Sequence, residues 1–412
     1  MAEVKPFQCI RPDAGVAGRV AALPYDVYNR EEAKQEILRE PLSFLKIDRA
    51  ETQFPEDVDT YDPRVYVMVK ELLTEMIHKG FLIKDMEECY YIYELTMEGR
   101  SQTGLVACAS IDDYINGVIK KHENTREDKE QDRINHVDIC NAQTGPIFLA
   151  YRSRQEINEV VEEVKGEVPL YSFTSVDKIT HRIWRISDNV RIMALKDAFT
   201  KIGSIYIADG HHRAASAVKV GLKRRKEHPG FTGREEFNSF LSVLFPHDQL
   251  MIMPYNRAVR DLNNLSTREF IDRIRENFGI TLIGDKPYKP DKKASFGMYL
   301  DGCWYILKAK DNLTKIDDPV RSLDVSLLQD YLLDPVLGIK DPRTDKRIDF
   351  IGGIRGLKEL ERRVSKDMSV AFSMYPTSIT ELFDVSDAGK LMPPKSTWFE
   401  PKLRSGLFIH SL

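Results

Sequence analysis

The residues best suited to chemistry follow a short apolar run, Ile-Tyr-Ile-Ala at 205–208, that predicts a buried strand. The next five positions are Asp209, Gly210, His211, His212 and Arg213. Small apolar residues from Ala214 onward predict a helix, so the histidines and the arginine lie where unpaired N–H groups and the helix dipole favour an anion. Arginine offers a forked pair of donors, and histidine donates hydrogen bonds or moves a proton near neutral pH. This junction is therefore predicted to bind phosphate.

Two other interpretations of the junction stay open. An aspartate that caps a helix, followed by exposed histidines, also occurs where there is no functional site. Aspartate and histidine are metal ligands as well, so a metal site is the main alternative. Neighbouring helical residues point about 100° apart, however, and His211 and His212 would not easily bind one ion without distant partners. Phosphate binding is the preferred interpretation.

A second polar cluster, at residues 119–133, is the densest in the chain. Thr125, with Asp128 three residues later, predicts a helix start that resembles a capping box. The residues at this entrance are Lys120, Lys121, His122, Glu123 and Arg126. Cations beside a His-Glu pair make the entrance a second candidate for phosphate binding and proton transfer, whereas the charged run at 126–133 is typical of a solvated helix face.

Two further segments contribute candidate residues. Asp26 precedes a helix predicted from Arg30, with Asn29 as its cap, and is either a turn residue or a carboxylate that binds metal or accepts a hydroxyl proton. The segment 391–407 is rich in proline and is neither a regular helix nor a clean strand. Its cations and hydroxyls are Lys395, Ser396, Thr397, Lys402 and Arg404. Folded back onto the junction, this segment would neutralise a polyphosphate.

Patterning predicts the main elements. Two β-rich runs, at 89–95 and 102–110, predict a hairpin, and residues 298–307 predict another around an Asp-Gly turn. Residues 44–48 alternate as a strand would, and residues 265–278 predict a capped amphipathic helix.

The length of 412 residues favours two or three domains, or one domain with an added lobe. The chain changes character near residue 248. We predict a nucleotide- and phosphate-binding core domain at 1–248 and a C-terminal α+β lobe at 249–412, whose tail returns to the site.

Composition narrows the class of protein. The chain has 60 Lys and Arg against 64 Asp and Glu, a net charge of −4, which argues against general nucleic-acid binding. Its five cysteines are scattered without a Cys-x-x-Cys pair, so neither a disulfide framework nor a zinc knuckle is expected. No apolar run approaches about 20 residues and the N-terminus lacks a signal pattern, so we expect a cytoplasmic protein without a membrane span.

Four segments together resemble one protein family. They are Pro24-Tyr-Asp-Val27, Lys120-Lys-His-Glu-Asn-Thr-Arg126, Asp209-Gly-His-His-Arg213 and Met392-Pro-Pro-Lys-Ser-Thr-Trp-Phe-Glu-Pro-Lys402. On these segments the chain is identified as a member of the uncharacterised-domain family DUF1015. The Asp-Gly-His-His-Arg element is also similar to that of free-serine kinases with the ParB/sulfiredoxin fold. The resemblance implies an α+β fold with a ParB/sulfiredoxin-like mixed-sheet core.

In those relatives the corresponding turn binds nucleotide phosphates, and a carboxylate elsewhere activates the serine hydroxyl. The resemblance thus implies that ATP or ADP binds at Gly210, His211, His212 and Arg213. We extend the predicted nucleotide site to Lys120, Arg126, Lys395, Ser396, Thr397 and Lys402. Predicted catalytic residues are Asp26, His122, Glu123, Asp209 and His212, with Asp26 and Glu123 as candidate bases. Asp209 and Glu123 are the predicted Mg²⁺ ligands.

These features predict a nucleotide-dependent kinase that acts on a small hydroxyl-bearing metabolite, with free L-serine converted to O-phosphoserine. The chain lacks a Walker-type Gly-x-x-x-x-Gly-Lys-Ser/Thr motif, so it is not an ordinary P-loop kinase. A metal-dependent phosphohydrolase or nucleotidase, with ligands among Asp209, His211 or His212, His122 and Glu123, is one alternative. A nucleotide-responsive binding protein of the ParB type is the other, with nucleic acid an improbable partner and an oligomer possible.

Overall fold

The structure, a computed structural model, describes residues 1–412. The chain divides into two compact units, Met1–Leu250 with Pro401–Leu412, and Met251–Glu400. The last twelve residues thus belong to the same unit as the N-terminal part of the chain. The assignment of residues 1–248 as a nucleotide-binding domain stays a prediction.

Thirteen strands form the first unit. They are β1 (Val4–Lys5), β2 (Cys9–Pro12), β3 (Leu82–Lys84), β4 (Tyr90–Met97), β5 (Arg100–Ser110), β6 (Ile119–Lys120), β7 (Ala142–Gln143), β8 (Ile147–Tyr151), β9 (Tyr171–Thr174), β10 (Thr180–Ile186), β11 (Ile205–Asp209), β12 (Ser239–Pro246) and β21 (Ile409–Ser411). Nine of them make one sheet in the order β6-β11-β8-β12-β5-β4-β10-β9, with β1 paired to β5. β6 runs parallel to β11 and β8 parallel to β12, and the other pairs are antiparallel. A second sheet has the order β3-β2-β21-β7.

The first unit also contains nine α-helices and four short 3₁₀ helices. The α-helices are α1 (Ala17–Val20), α2 (Arg30–Arg39), α3 (Leu45–Asp48), α4 (Pro63–His78), α5 (Ile111–Ile115), α6 (Glu127–Cys140), α7 (Gln155–Lys165), α8 (Asn189–Thr200) and α9 (His211–Glu227). The 3₁₀ helices are Tyr25–Val27, Ala50–Gln53, Glu236–Asn238 and His247–Gln249. As predicted, Asn29 caps α2, and its capping box with Glu32 is complete.

The core of the first unit lies on the central sheet. Every residue of β8 and β12 is buried, which explains why their sequences are nearly continuous apolar runs rather than alternating ones. α7, α8 and α9 pack apolar and small residues against this sheet. A second cluster gathers around α3 and α4. These two cores hold the ends of β11 and α9 in place.

Several predicted elements are confirmed. β4 and β5 pair antiparallel with Met97 opposite Arg100, so Glu98 and Gly99 form a two-residue turn. Both turn residues have positive φ, as a type I′ hairpin requires. The predicted hairpin at 298–307 is also present, with Leu300 opposite Cys303 and a turn of the same kind.

Two local predictions are wrong. The predicted strand at 44–48 is instead the start of a helix: Leu45–Asp48 form α3 after Phe44, and Phe44, Leu45, Ile47 and Asp48 are all buried on a helical spacing. Thr125 does not cap α6: its hydroxyl donates to Glu130 at 2.6 Å, and the residue that precedes α6 is Arg126. In both cases a tertiary contact decides the local structure.

The second unit is itself α+β. Its strands are β13 (Ile252–Met253), β14 (Tyr255–Val259), β15 (Phe278–Gly284), β16 (Ser295–Leu300), β17 (Cys303–Ala309), β18 (Ile348–Gly352), β19 (Val370–Ser373) and β20 (Trp398–Phe399). Its helices are α10 (Thr267–Ile274), α11 (Asp311–Thr314), α12 (Asp324–Leu328), α13 (Leu357–Lys366) and α14 (Ile379–Asp387), with a π-helix at Gln329–Leu333 and a 3₁₀ helix at Gly353–Arg355. Six strands form an antiparallel sheet in the order β15-β17-β16-β19-β14-β18, and β13 pairs with β20.

The predicted fold class is confirmed: the protein is α+β, with a mixed parallel and antiparallel sheet in the first unit and a second α+β unit. No helix combines the length and the apolar character that a membrane crossing requires.

The packing of α9 gives a stability test at Gly221. A Cβ there would lie 2.4 Å from the carbonyl oxygen of Phe237 and 2.8 Å from Cδ1 of Ile111. Alanine normally stabilises a helix interior by about 1 kcal/mol relative to glycine, but overpacking costs roughly 1–3 kcal/mol. We expect Gly221→Ala to lower the free energy of unfolding, measured by urea denaturation. Gly230→Ala, where a Cβ meets nothing within 4 Å, is the control, and equal stability of the two variants would contradict this packing.

Candidate functional site

The candidate site lies where β11 ends and α9 begins. The pairing of β11 with β8 shifts register between Ile207 and Asp209, and Gly210 then turns the chain with φ 93° and ψ 31°. Glycine adopts this left-handed conformation without strain. Because Gly210 has no side chain, no capping side chain at this position occupies the N–H groups of the first turn of α9. The turn therefore offers an uncapped helix N-terminus directly after a strand.

Two hydrogen bonds, one to each carboxylate oxygen, hold Asp209 at this turn. Its Oδ1 accepts a 2.8 Å hydrogen bond from the Gly210 amide, and its Oδ2 accepts a 3.0 Å hydrogen bond from Nζ of Lys402. Burial raises the pKa of Asp209, but Lys402 and Arg213 outweigh burial and bring this pKa well below its usual range. The carboxylate is therefore ionised at neutral pH and is a weak proton acceptor.

His122 and His211 form a buried pair behind the turn. Their rings meet edge to face at 4.5 Å between centroids. Burial lowers the pKa of His122 to about 4, and burial together with His122 lowers the pKa of His211 well below its usual value. Both rings are thus uncharged at neutral pH. Nδ1 of His122 and Nε2 of His211 are buried without a hydrogen-bond partner. The pair joins the segment after β6 to the start of α9.

Glu123 lies beside this pair, with its Oε2 3.9 Å from Nδ1 of His211, and its side chain is 44% exposed. The separation is too long for a hydrogen bond but short enough for an electrostatic interaction. The structure therefore brings Glu123, His122, His211 and Asp209 to one side of the turn.

His212 points to the N-terminus of α6. Its Nε2 accepts a 3.0 Å hydrogen bond from the backbone N–H of Arg126. Burial lowers the pKa of His212, so the ring is neutral at pH 7 and must carry its proton on Nδ1. The guanidinium of Arg126 is largely exposed and pairs with Asp128. The backbone N–H of Arg126 thus orients His212, whereas the side chain of Arg126 points away from the site into solvent.

The positive charge near the junction comes from lysine and arginine and not from histidine. Arg213 donates through Nη1 to the carbonyl oxygen of Pro146, and a Cβ at Gly210 would lie 3.0 Å from its guanidinium. Lys402 pairs with Asp209. Tyr206 belongs to β11, the strand that leads into the turn. Nζ of Lys120 lies 6.0 Å and Cζ of Arg152 lies 5.2 Å from the centroid of its ring. Arg213 and Lys402 thus lie at the carboxyl end of β11, whereas Lys120 and Arg152 lie near Tyr206, its second residue.

The remaining predicted residues lie apart from this group or in the other unit. Asp26 is exposed, and its charge acts on the pKa of His212. Lys395, Ser396 and Thr397 belong to the second unit. There, Nζ of Lys395 lies 5.7 Å from the Tyr255 ring centroid, and Ser396 is buried with its hydroxyl on Pro393. Their role in nucleotide binding stays a prediction.

A set of buried polar residues beside the site was not predicted as functional. Asp132, Arg133 and His136 on α6 are all buried, although residues 126–133 were expected to be a solvated face. Asp132, His136 and Cys140 recur every four residues, which is the spacing of a buried helix face. This spacing could have indicated that the face is buried, but it is hard to recognise because polar residues occupy the repeated positions. Asp48 on α3, also buried, faces the same space.

The structure contains no group of three or more His, Cys, Asp or Glu side chains positioned to hold a metal ion. The alternative of a metal-dependent phosphohydrolase therefore lacks a ready set of protein ligands. Magnesium is different, because it is usually bound by one or two carboxylates together with substrate phosphates and water. Asp209 and Glu123 stay the predicted pair of magnesium ligands.

The fold and the site together describe an α+β protein with an uncapped, cation-flanked strand-to-helix turn. The family model described as "Protein of unknown function (DUF1015)" matches residues 4–326, and the chain belongs to this family, as predicted. No curated protein matches the chain.

Three solved structures are similar to the chain over 74% of its length. A free serine kinase in complex with AMP has 15% identity and a TM-score of 0.34, with 91% of its own chain covered. SbnI from Staphylococcus aureus, with a C-terminal truncation, has 10% identity, a TM-score of 0.39 and 87% coverage. A conserved hypothetical protein from Pyrococcus furiosus has 13% identity, a TM-score of 0.33 and 94% coverage. These similarities are too weak to assign an activity.

The buried histidine pair predicts a specific dependence of stability on pH. The pKa of His122 is about 4 in the folded protein and about 6.5 in an unfolded chain, so the unfolded state takes up the proton first as pH falls. His122 contributes stability that is fully present above about pH 6.5 and is lost towards pH 4, at up to about 1.4 kcal/mol per pH unit.

The measurement is the free energy of unfolding in urea at pH 7.5 and 5.5, for the native protein and His122→Gln. We expect a smaller loss of stability on acidification in the variant. The native protein and the variant are compared because other groups also titrate in this range. Asp324, for example, whose pKa is raised to about 7 by burial, adds stability as the pH falls, which is opposite to the effect of His122. His78→Gln, at an exposed histidine, is the control. Equal pH dependence in all three proteins would show that His122 is not held neutral.

Proposed function

We propose that this protein is a nucleotide-dependent phosphotransferase that acts on a small hydroxyl-bearing metabolite. The observation that carries the proposal is the convergence of Arg213, Lys402 and the uncapped first turn of α9 on the end of β11. A helix N-terminus flanked by cations is a suitable place for phosphate oxygens. The nucleotide would be ATP or ADP.

Each residue of the turn has a distinct part in this proposal. The positive φ of Gly210 lets the backbone approach a phosphate closely. His212 donates from Nδ1, because Arg126 occupies its Nε2. Arg213 and Lys402 neutralise charge on the phosphates. His122 and His211, which are buried and neutral, position the segment 120–126 against α9.

Magnesium fits the same place through Asp209, with Glu123 as a second carboxylate. When bound, the ion would supply positive charge that reduces the negative charge the acceptor meets. Asp209 is ionised because of its cationic neighbours, which suits a ligand better than a base. Lys402 would keep the carboxylate oriented towards the phosphates.

The transfer needs one proton acceptor in addition to these groups. The acceptor hydroxyl oxygen forms a bond to the terminal phosphorus of the nucleotide, and the bond from that phosphorus to the bridging oxygen of the leaving nucleotide breaks. The hydroxyl proton passes to a carboxylate, for which Asp26 and Glu123 are the candidates. Both are exposed enough to exchange that proton with water afterwards.

The specific acceptor that we propose is free L-serine, which would give O-phosphoserine. This proposal rests on the resemblance of Asp209-Gly-His-His-Arg213 to the corresponding element of free-serine kinases. The segment that contains Lys402 lies beside this element in the first unit, so the tail contributes at least one cation to the turn.

The direct test is phosphorus NMR on purified protein incubated with Mg²⁺, L-serine and either ATP or ADP. We expect O-phosphoserine together with the nucleotide product. Lys402→Gln and Arg213→Gln should each lower the rate by about 100-fold, because each removes a charge that stabilises the transferring phosphoryl group. Lys201→Gln, at a side chain 61% exposed at the end of α8, should leave the rate unchanged.

Circular dichroism of each variant separates loss of activity from loss of folding. Native protein that neither turns over nucleotide nor forms O-phosphoserine would remove this proposal. Hydrolysis of nucleotide without transfer to any acceptor would favour the phosphohydrolase instead.

A further inference from the structure

A charged cavity of about 230 Å³ lies next to the candidate site in the first unit. Its wall includes Tyr25, Asp48, Asp132, Arg133 and His136. Four of these residues, all except Asp132, also line a smaller cavity of about 30 Å³, and the wall of that cavity includes Arg213. The larger cavity thus continues, through Asp48 and Arg133, to the arginine that we assign to phosphate binding.

Arg133 supplies a fixed cation to the cavity. Its Nε donates to Oδ2 of Asp132 at 2.9 Å, and its guanidinium lies 4.1 Å from the centroid of the Tyr25 ring. The pKa of Arg133 is lowered by burial but raised more strongly by Asp132, Tyr25 and Asp48, so the group stays charged. The hydroxyl of Tyr66 holds Asp132 in turn, at 2.9 Å. Nη2 of Arg133 lies 2.7 Å from the same carboxylate oxygen of Asp132, Oδ2.

Asp48 supplies a carboxylate of a different kind. It is 5% exposed and forms no ion pair, and its hydrogen bonds come from the hydroxyls of Thr144, at 3.2 Å, and Ser405. Burial raises its pKa, while Arg133, Arg213 and the two hydroxyls act in the opposite direction. A buried carboxylate without a salt-bridge partner is unfavourable unless something compensates its charge. An ammonium group in the cavity would do so.

We infer that this cavity binds the acceptor as a small α-amino acid, with its ammonium group at Asp48 and its carboxylate at Arg133. The inference rests on the proposed function and identifies where the acceptor of that reaction lies. A volume of 230 Å³ is large enough for a molecule of the size of serine. An uncharged polyol would fit the same space but would form no ion pair with Asp48.

The acceptor hydroxyl would then face the smaller cavity, where Arg213 lies. This places the hydroxyl at the junction between the amino-acid cavity and the phosphate-binding turn. Asp48 and Arg133 are positioning residues in this arrangement, because they orient the acceptor and do not exchange its proton.

The first test dissects the ligand with the native full-length protein. Isothermal titration calorimetry is run with L-serine, with L-glycerate, which replaces the ammonium by a hydroxyl, and with ethanolamine, which lacks the carboxylate. We expect L-serine to bind at least about tenfold more tightly than either analogue, because each analogue loses one of the two charged contacts. L-glycerate that binds as tightly as L-serine would overturn the role of Asp48.

The second test changes the protein. Asp48→Asn keeps the size of the side chain but replaces one acceptor oxygen by an amide group and removes the charge, and should weaken L-serine binding by at least about tenfold. The affinity for ADP, titrated separately, should not fall, since the substitution removes no cation from the turn of α9. Asp57→Asn makes the same change at an exposed carboxylate and should alter neither affinity.

The two titrations separate this inference from the proposed function. Protein that binds ADP but none of the three small molecules, with or without ADP present, would overturn the inference and leave the phosphotransferase proposal standing. Protein that binds L-serine in an Asp48-dependent way but no nucleotide would support the cavity assignment and count against the phosphotransferase. Binding of L-serine that is unchanged in Asp48→Asn would place the amino acid elsewhere and overturn the inference.

Discussion

The candidate site depends on one long-range ion pair, between Asp209 at the end of β11 and Lys402 near the C-terminus. These residues are 193 positions apart, and they meet because the last twelve residues complete the first unit. β21 inserts between β2 and β7 in the smaller sheet, and Arg404 pairs with Asp177. The tail is therefore built into the fold by strand pairing and by buried charge. A carboxylate that β11 alone could not keep ionised is kept ionised by this segment.

The same burial has opposite effects on the acidic and basic groups of the site. Asp209 has two cations beside it and stays charged, whereas burial outweighs the effect of the Asp209 carboxylate on His122 and His211, which are neutral. The charged residues and the histidines thus have different parts in the site. Arginine and lysine provide the positive potential, and the histidines provide shape and directed hydrogen bonds.

The parts that sequence reasoning anticipated are those set by local rules. The cap at Asn29, the two-residue hairpin turns and the strand-to-helix turn at Asp209 each follow from a few neighbouring residues. The failures are those set by distant contacts. A segment of five residues, 44–48, is too short to show whether its apolar positions repeat every 2 residues, as in a strand, or every 3.6, as in a helix. Packing in the second cluster stabilises the helix.

The α6 segment is the more instructive failure. Its charges resemble a solvated face until the structure shows that α6 packs against α4 and α9, which buries Asp132, Arg133 and His136. Periodicity identifies a buried face only when the residues on it are apolar. Here the repeated positions hold an acid, an imidazole and a thiol. Charged residues at a helical spacing can therefore belong to a solvated face or to a buried one, and only the fold shows which.

Buried charge of this kind is not explained by stability. Replacing a buried ion pair by well-packed apolar residues is often neutral or stabilising, so the pair Asp132–Arg133 is not needed to hold α6 in place. Asp48 is a stronger case, because hydroxyls and not a cation hold its carboxylate. Positions that depart from the rules of a stable core are where function is expected. Asp48 is such a position, and it lies in the wall shared by the two cavities, the smaller of which also includes Arg213.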